Sequence, residues 1–150
     1  MDTQGFVQQR VHTYYWRDDI NCATTTLKIL SERFGVALGD QVLDSALGMH
    51  GAGRYRAQCG LVEGTLMFLG IIGRARGLSD DEVVEACYDF ARQFEECFGS
   101  LSCKVLRPEG FDPDNPPHIC EPLTRDAIVF DIEFMSELLD GRPVAARGTS

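Results

Sequence analysis

The sequence predicts an all-α fold, arranged as a single compact bundle of about five to six helices with one glycine-rich loop and one proline-rich loop. Apolar residues recur at three- and four-residue steps over most of the chain, which is the spacing of one helix face. Asn, Ser and Gly residues stand where such helices would begin and end. No stretch of useful length alternates apolar and polar residues as a strand does.

The first two helices are predicted over residues 4–16 and from Asn21 to Gly35. In the first, the apolar residues recur at helical spacing, as in an amphipathic helix; they are Phe6, Val7, Val11, Tyr14 and Tyr15. In the second, Asn21 is a good N-cap and Gly35 a good C-terminal stop, which places Cys22 in the first helical turn.

The middle of the chain is predicted to hold a short helix, a loop and a central helix. The short helix begins at Asp40, ends at Gly48 and buries four apolar side chains. Residues 48–58 contain too many glycines for regular structure and are expected to form the glycine-rich loop. Residues 59–74 are apolar nearly all round, as in a central helix. The residues of the short helix that are expected to be buried are Val42, Leu43, Ala46 and Leu47. The small residues of the central helix that should let neighbouring helices approach closely are Gly60, Gly64, Thr65 and Gly70.

The last third begins with the clearest helix signal. Ser79 and Glu82 have capping-box spacing, and the helix that follows should stop at Gly99. A single turn is predicted at Cys103, residues 112–117 form the proline-rich loop, and a final helix begins near Pro122.

Length and composition favour one acidic, cytoplasmic domain. With 150 residues, 44% of them hydrophobic, we expect a helical domain over residues 1–140 and a disordered tail over 141–150. The net charge of −9 leaves no basic face for nucleic acid. The longest apolar stretch is shorter than the roughly 20 residues a bilayer requires, and the amino terminus lacks secretory features, so neither membrane insertion nor export is expected.

Six cysteines in a reducing compartment point to metal binding or redox chemistry. Four of them fall at or just before predicted helix starts, where unpaired amides and the helix dipole stabilise an anion and lower a thiol pKa. Cys87 lies on the apolar stripe of its helix and Cys97 lies beside Phe94 and Phe98, so both are expected simply to pack. The four candidate cysteines are Cys22, Cys59, Cys103 and Cys120.

The cysteines and their surroundings resemble a known family. Asn21-Cys22-Ala23 opens a helix, a glycine-rich loop leads into Cys59-Gly60 and Gly64, Phe98-Gly99-Ser100 precedes Cys103, and Cys120 comes last. In this order the chain, over roughly residues 6–139, resembles the redox-active proteins named for their C, GCAxxG, C, C cysteine pattern. The central motif departs from that name, since Gln58 precedes Cys59 and Gly60 follows it, where the name has Gly and Ala.

The resemblance implies a helical domain with a redox role carried by four cysteines. Similar domains in split-Soret cytochromes are linked with an iron–sulfur centre, so Cys22, Cys59, Cys103 and Cys120 are expected to bind such a cluster as its metal ligands, in electron transfer or redox sensing. Two alternatives stay open. One is a thiol–disulfide oxidoreductase that uses two of these cysteines, and the other is a helical binding module with structural zinc.

Other residues carry weaker predictions. His118, two positions before Cys120, is expected to be solvated rather than a substitute ligand. The segment from His50 through Arg54 and Tyr55 to Arg56 is expected to pack around the cysteine site rather than bind an anion. The redox partner protein is left unidentified, and a homodimer remains an option.

Overall fold

The computed structural model describes residues 2–109 and 118–140, which contain eight helices and no strand. The all-α prediction is therefore confirmed for this part of the chain. Five helices are long, and three are short pieces of four to six residues. The helices are α1 (Thr3–Trp16), α2 (Cys22–Phe34), α3 (Asp40–Ser45), α4 (Gly51–Arg54), α5 (Gly60–Ala75), α6 (Asp80–Phe98), α7 (Cys103–Leu106) and α8 (Glu121–Leu139).

The predicted caps define the ends of α2 and α6. The Asn21 side chain accepts a hydrogen bond from Thr24 N, and Gly35 ends α2 with a φ of 67°, a left-handed conformation that suits glycine. Ser79 and Glu82 form the expected capping box at the start of α6. These local signals position Cys22 at the first residue of α2.

The core forms where α5 packs between α2 and α6, while α1 packs along α8. Gly64 allows the approach of α5 to α2, since a Cβ at this position would lie 2.7 Å from Ala23 O. On the other side, the rings of Phe90 and Phe94 contact Phe130, which joins α6 to α8. The central helix is thus held on both sides, and its first residue follows Cys59.

Several expectations were wrong in detail. Helix α3 ends at Ser45, and Leu47 is 67% exposed instead of buried, because the chain turns away before Leu47 can face the core. The glycine-rich loop contains the single turn α4, whose Ala52 and Gly53 have left-handed dihedral angles. A Cβ at Gly70 would meet no neighbouring atom within 4 Å, so this glycine faces open space and not another helix.

The proline-rich run at 112–117 and the tail at 141–150 lie outside the described residues. Within the described ranges, none of the helices combines the length and apolarity required to cross a membrane.

Candidate functional site

Four helix starts bring four cysteines to one cavity. Cys22 and Cys103 are the first residues of α2 and α7, and Cys59 and Cys120 are the N-cap residues of α5 and α8. All four line a cavity of about 270 Å³. The sequence therefore placed them correctly at helix starts, and the fold adds their convergence.

The other two cysteines lie elsewhere. Cys87 and Cys97 do not line this cavity. Cys87 is half-buried and packs against the core, as expected. Cys97 is exposed, so its predicted packing was wrong. Its position beside Phe94 and Phe98 in the sequence does not place it on their face of α6.

Gly60 allows Cys22 to lie directly beside the start of α5. A Cβ at this position would overlap Cys22 Sγ and would lie 2.7 Å from Met49 O. The central motif departs from the family name at Gly60, and here the departure has a steric reason. The space that a methyl group would occupy is taken by the sulfur of another cysteine.

A short backbone pairing ties Cys59 to Cys103. Gln58 and Ser102 form an isolated antiparallel bridge. Cys59 N donates to Leu101 O at 2.8 Å, and Cys103 N donates to Ala57 O at 2.7 Å. These bonds fix the separation of two cysteines that are distant in sequence, independently of any bond between their sulfurs.

Arg56 completes this arrangement from the glycine-rich loop. Its guanidinium donates to the carbonyl oxygens of Lys104, Arg107 and Pro108 at 3.0–3.3 Å. These acceptors lie in and just after α7, where a helix leaves carbonyl groups unpaired. As expected, the loop packs around the cysteine site, and Arg56 acts as the clamp of α7.

Asn21 has a second role that sequence reasoning missed. Beyond capping α2, its Nδ2 donates to the carbonyl oxygens of Ala46 and Leu47 at 3.0 Å and lies 3.1 Å from His50 Nδ1. One side chain thus connects the start of α2 to the segment that leads into the glycine-rich loop. A cap residue followed by cysteine was visible in the sequence, but its long-range acceptors were not.

Cys120 lies beside a cation that the sequence did not single out. Arg107 Nη1 lies 3.6 Å from Cys120 Sγ and donates a hydrogen bond to it. Nearby, His118 stacks on Tyr15 with ring centroids 4.4 Å apart, and its Nε2 lies 2.8 Å from Asp19 Oδ1. His118 is therefore occupied as a wall of the cavity, and it is not simply solvated as predicted.

Burial dominates the electrostatics of the two deeper thiols. Burial, followed by the nearby Cys59, Cys120 and Cys103, raises the pKa of Cys22 well above its usual value. Burial also raises the pKa of Cys59 to about 12, although the amides of Leu61 and Val62 donate hydrogen bonds that act in the opposite direction. The expected lowering by the helix starts is present but smaller than desolvation.

Cys103 and Cys120 have cationic neighbours. Burial raises the pKa of both thiols, while the positive charge of Arg107 lowers both, and Arg56 adds to the lowering at Cys103. The site therefore has one wall with amide donors and one wall with arginine side chains. Both favour negative charge on sulfur.

The arrangement offers sulfur donors from separate helices around a common space. Among residues 2–109 and 118–140, no three His, Cys, Asp or Glu side chains already form a metal-binding group. None of the six cysteines is in a disulfide. The thiols can ligate a group placed between them, or react in pairs after a local movement.

Comparison with known proteins adds one result. No curated protein and no solved structure matches the chain. One family model matches residues 20–133, a range that starts just before Cys22 and includes all four cysteines of the cavity. On this match, the chain belongs to the family described as "Putative redox-active protein (C_GCAxxG_C_C)".

Proposed function

We propose that Cys22, Cys59, Cys103 and Cys120 hold an iron–sulfur cluster that serves electron transfer or redox sensing. The single observation that carries this proposal is that four thiols, each presented by a different helix start, line one cavity. Family membership supports a redox role, and the nature of the redox group is our inference.

The donor set and the space fit such a group. Four cysteine thiolates are the usual ligands of iron–sulfur clusters. The cavity of about 270 Å³ lies just below the range of about 300–1,000 Å³ typical of pockets for drug-sized organic molecules. A compact inorganic group with sulfur ligands on several sides suits this space.

The surrounding residues supply what thiolate ligands need. Amides of Ala23, Leu61 and Val62 donate to the sulfurs of Cys22 and Cys59, and Arg107 donates to Cys120. Such hydrogen bonds stabilise negative charge on sulfur and influence the reduction potential of a bound centre. When bound, a cluster supplies one-electron chemistry, which needs no substrate pocket beside it.

The raised thiol pKa values agree with ligand chemistry better than with free nucleophiles. A thiol must lose its proton to attack a disulfide, and burial opposes this at Cys22 and Cys59. A metal displaces the proton when it binds. The ligand role is therefore accessible at neutral pH to thiols that are poor nucleophiles on their own.

The test is a metal and sulfide analysis of protein purified without oxygen and, where needed, reconstituted with iron and sulfide. We expect iron, acid-labile sulfide and visible charge-transfer absorption in the wild type. We expect Cys59→Ser to lose most of this absorption and Cys97→Ser to keep it, because Cys97 is exposed and lies outside the cavity.

Two outcomes would overturn the proposal. Zinc without iron or sulfide would indicate a structural site. A protein without metal that loses two free thiols reversibly on oxidation would indicate a thiol–disulfide oxidoreductase.

A further inference from the structure

The positive charge of this acidic protein is unevenly distributed. Its 23 Asp and Glu residues outnumber its 14 Lys and Arg residues. Nevertheless, residues 46–62 contain Arg54 and Arg56 and no acidic residue, and residues 97–108 contain Lys104 and Arg107 and no acidic residue. These two segments also carry Cys59 and Cys103 to the cavity.

The fold joins the two segments into one surface. The bridge between Gln58 and Ser102 aligns them, Lys104 N donates to Arg56 O at 3.3 Å, and the Arg56 guanidinium donates to carbonyl oxygens of the second segment. Charges that are far apart in the sequence are thereby concentrated on one side of the molecule. We call this surface, formed by residues 47–56 and 104–107, the cationic face.

Exposed apolar side chains concentrate on the same face. Leu47, Tyr55 and Val105 are 67%, 83% and 61% exposed, and they are half of the large exposed hydrophobic residues in the part of the chain that the structure describes. Scattered exposed apolar residues need no explanation. Three of them lie in the same two segments as four cations, beside a cavity lined by cysteines, and exposed aromatic and arginine side chains are enriched at protein–protein interfaces.

The cavity reaches this face at Arg54, which is exposed and also lines the cavity. Three acidic side chains lie near this approach. Asp19 lies in the wall beside His118 and is bonded to it, and Glu63 accepts a hydrogen bond from Gln58. The third, Glu109, is exposed at the edge of the face and lies near Cys120. The face itself contains four cations and no carboxylate, in a protein whose net charge is −9.

We propose that the cationic face docks an acidic electron-transfer protein, whose carboxylates meet Arg54, Lys104 and Arg107 while its redox centre approaches the cavity. This inference rests on the proposed function. The transfer moves one electron from the reduced partner to the oxidised centre, and no bond forms or breaks. Complementary charge brings such partners together quickly and releases them quickly, as repeated electron transfer requires.

The chain allows a direct test because it has only two lysines, Lys28 and Lys104. The probe is a plant-type [2Fe–2S] ferredoxin, an acidic one-electron carrier, which is mixed with this protein and then treated with a carbodiimide that joins a carboxylate to an amine it already contacts. Lys104 is exposed on the cationic face, whereas Lys28 belongs to α2 and lies over the ring of Tyr14. We expect amide cross-links at Lys104, at low salt only, and their loss in Lys104→Arg.

Kinetics provide the second readout. With reduced ferredoxin at low ionic strength, we expect Lys104→Glu to lower the second-order reduction rate roughly three- to tenfold. Lys28→Glu, which carries the same charge change, should lower it less than twofold. Lys104→Arg keeps the charge and should retain the wild-type rate. High salt should remove the difference between the variants.

The outcomes separate this inference from the proposed function. If dithionite reduces the protein but no cross-links form at Lys104, the docking face alone is overturned. The same holds if dithionite reduces the protein and Lys104→Glu and Lys28→Glu lower the ferredoxin rate equally. Cross-links at Lys104 in a protein that dithionite cannot reduce would support the face and overturn the redox centre.

Discussion

Asp131 is a carboxyl group inside the core, and its ionisation should make the stability of the protein depend on pH. It is fully buried on α8. Its Oδ2 lies 2.8 Å from Thr65 Oγ1, which also lies 2.8 Å from Leu61 O. A hydroxyl has one proton to donate. Both contacts are satisfied when protonated Asp131 donates to Thr65 and Thr65 donates to Leu61 O.

Burial, the largest cause, raises the pKa of Asp131 well above its usual value. In the unfolded chain this pKa is about 3.9. Between the two values the folded protein binds one more proton than the unfolded chain. The contribution of protonated Asp131 to the free energy of unfolding is therefore complete below the unfolded pKa. It is lost as pH rises towards the folded pKa, by up to about 1.4 kcal/mol per pH unit.

The perturbation is Asp131→Asn, which keeps the shape and a donor towards Thr65 but cannot ionise. We expect the difference in free energy of unfolding, variant minus wild type, to become more positive as pH rises from 5 to 7. Urea titrations from pH 4 to pH 8 measure this difference. Asp126→Asn, which removes an exposed carboxyl on the same helix, is the matched control.

The refuting result would be a constant difference in unfolding free energy between wild type and Asp131→Asn over this pH range. Asp131 would then keep the same charge in the folded and unfolded states. A divergence of equal size in Asp126→Asn would show that general charge repulsion, and not burial, causes the pH dependence.

Two other predictions concern the helices that present the cysteines. Gly64→Ala should destabilise the fold by about 1–3 kcal/mol because the new methyl group meets the α2 backbone. Gly70→Ala changes the same helix where a methyl group meets open space, and it should stabilise the fold by up to about 1 kcal/mol. Thermal unfolding of both variants measures these effects, and equal shifts in the unfolding temperature would contradict the prediction. Asn21→Ala should cost about 1–2 kcal/mol, more than an ordinary cap, because contacts to Ala46 and Leu47 are also lost. Asn21→Ser, which restores only the cap, should recover part of this energy, and full recovery would argue against the long-range role.

Much of the fold could be predicted because helix boundaries depend on nearby residues. Asn21 with Gly35, and Ser79 with Gly99, define α2 and α6 in the structure as they do in the sequence. The placement of cysteines at helix starts follows from the same local signals. Leu47 shows the limit, since a helical pattern cannot reveal that the chain leaves the core one turn early.

The geometry of the site could not be predicted, because it depends on contacts between distant segments. No local pattern indicates that Arg56 would clamp the end of α7 or that Arg107 would bond to Cys120. The exposure of Cys97 depends on how α6 is rotated against its neighbours. The strongly buried Asp131 is also invisible in a sequence where most carboxylates lie on the surface.

The pairing of Gln58 with Ser102 also bears on how the proposed centre would be assembled. It closes a chain segment of roughly 40 residues through backbone hydrogen bonds, a step that costs about 3 kcal/mol of loop entropy. Cys59 and Cys103 are therefore held near each other by backbone bonds that involve neither sulfur nor a cofactor. Insertion would begin from this preset pair, and the contribution of Cys22 and Cys120 would then determine how firmly the cofactor is retained.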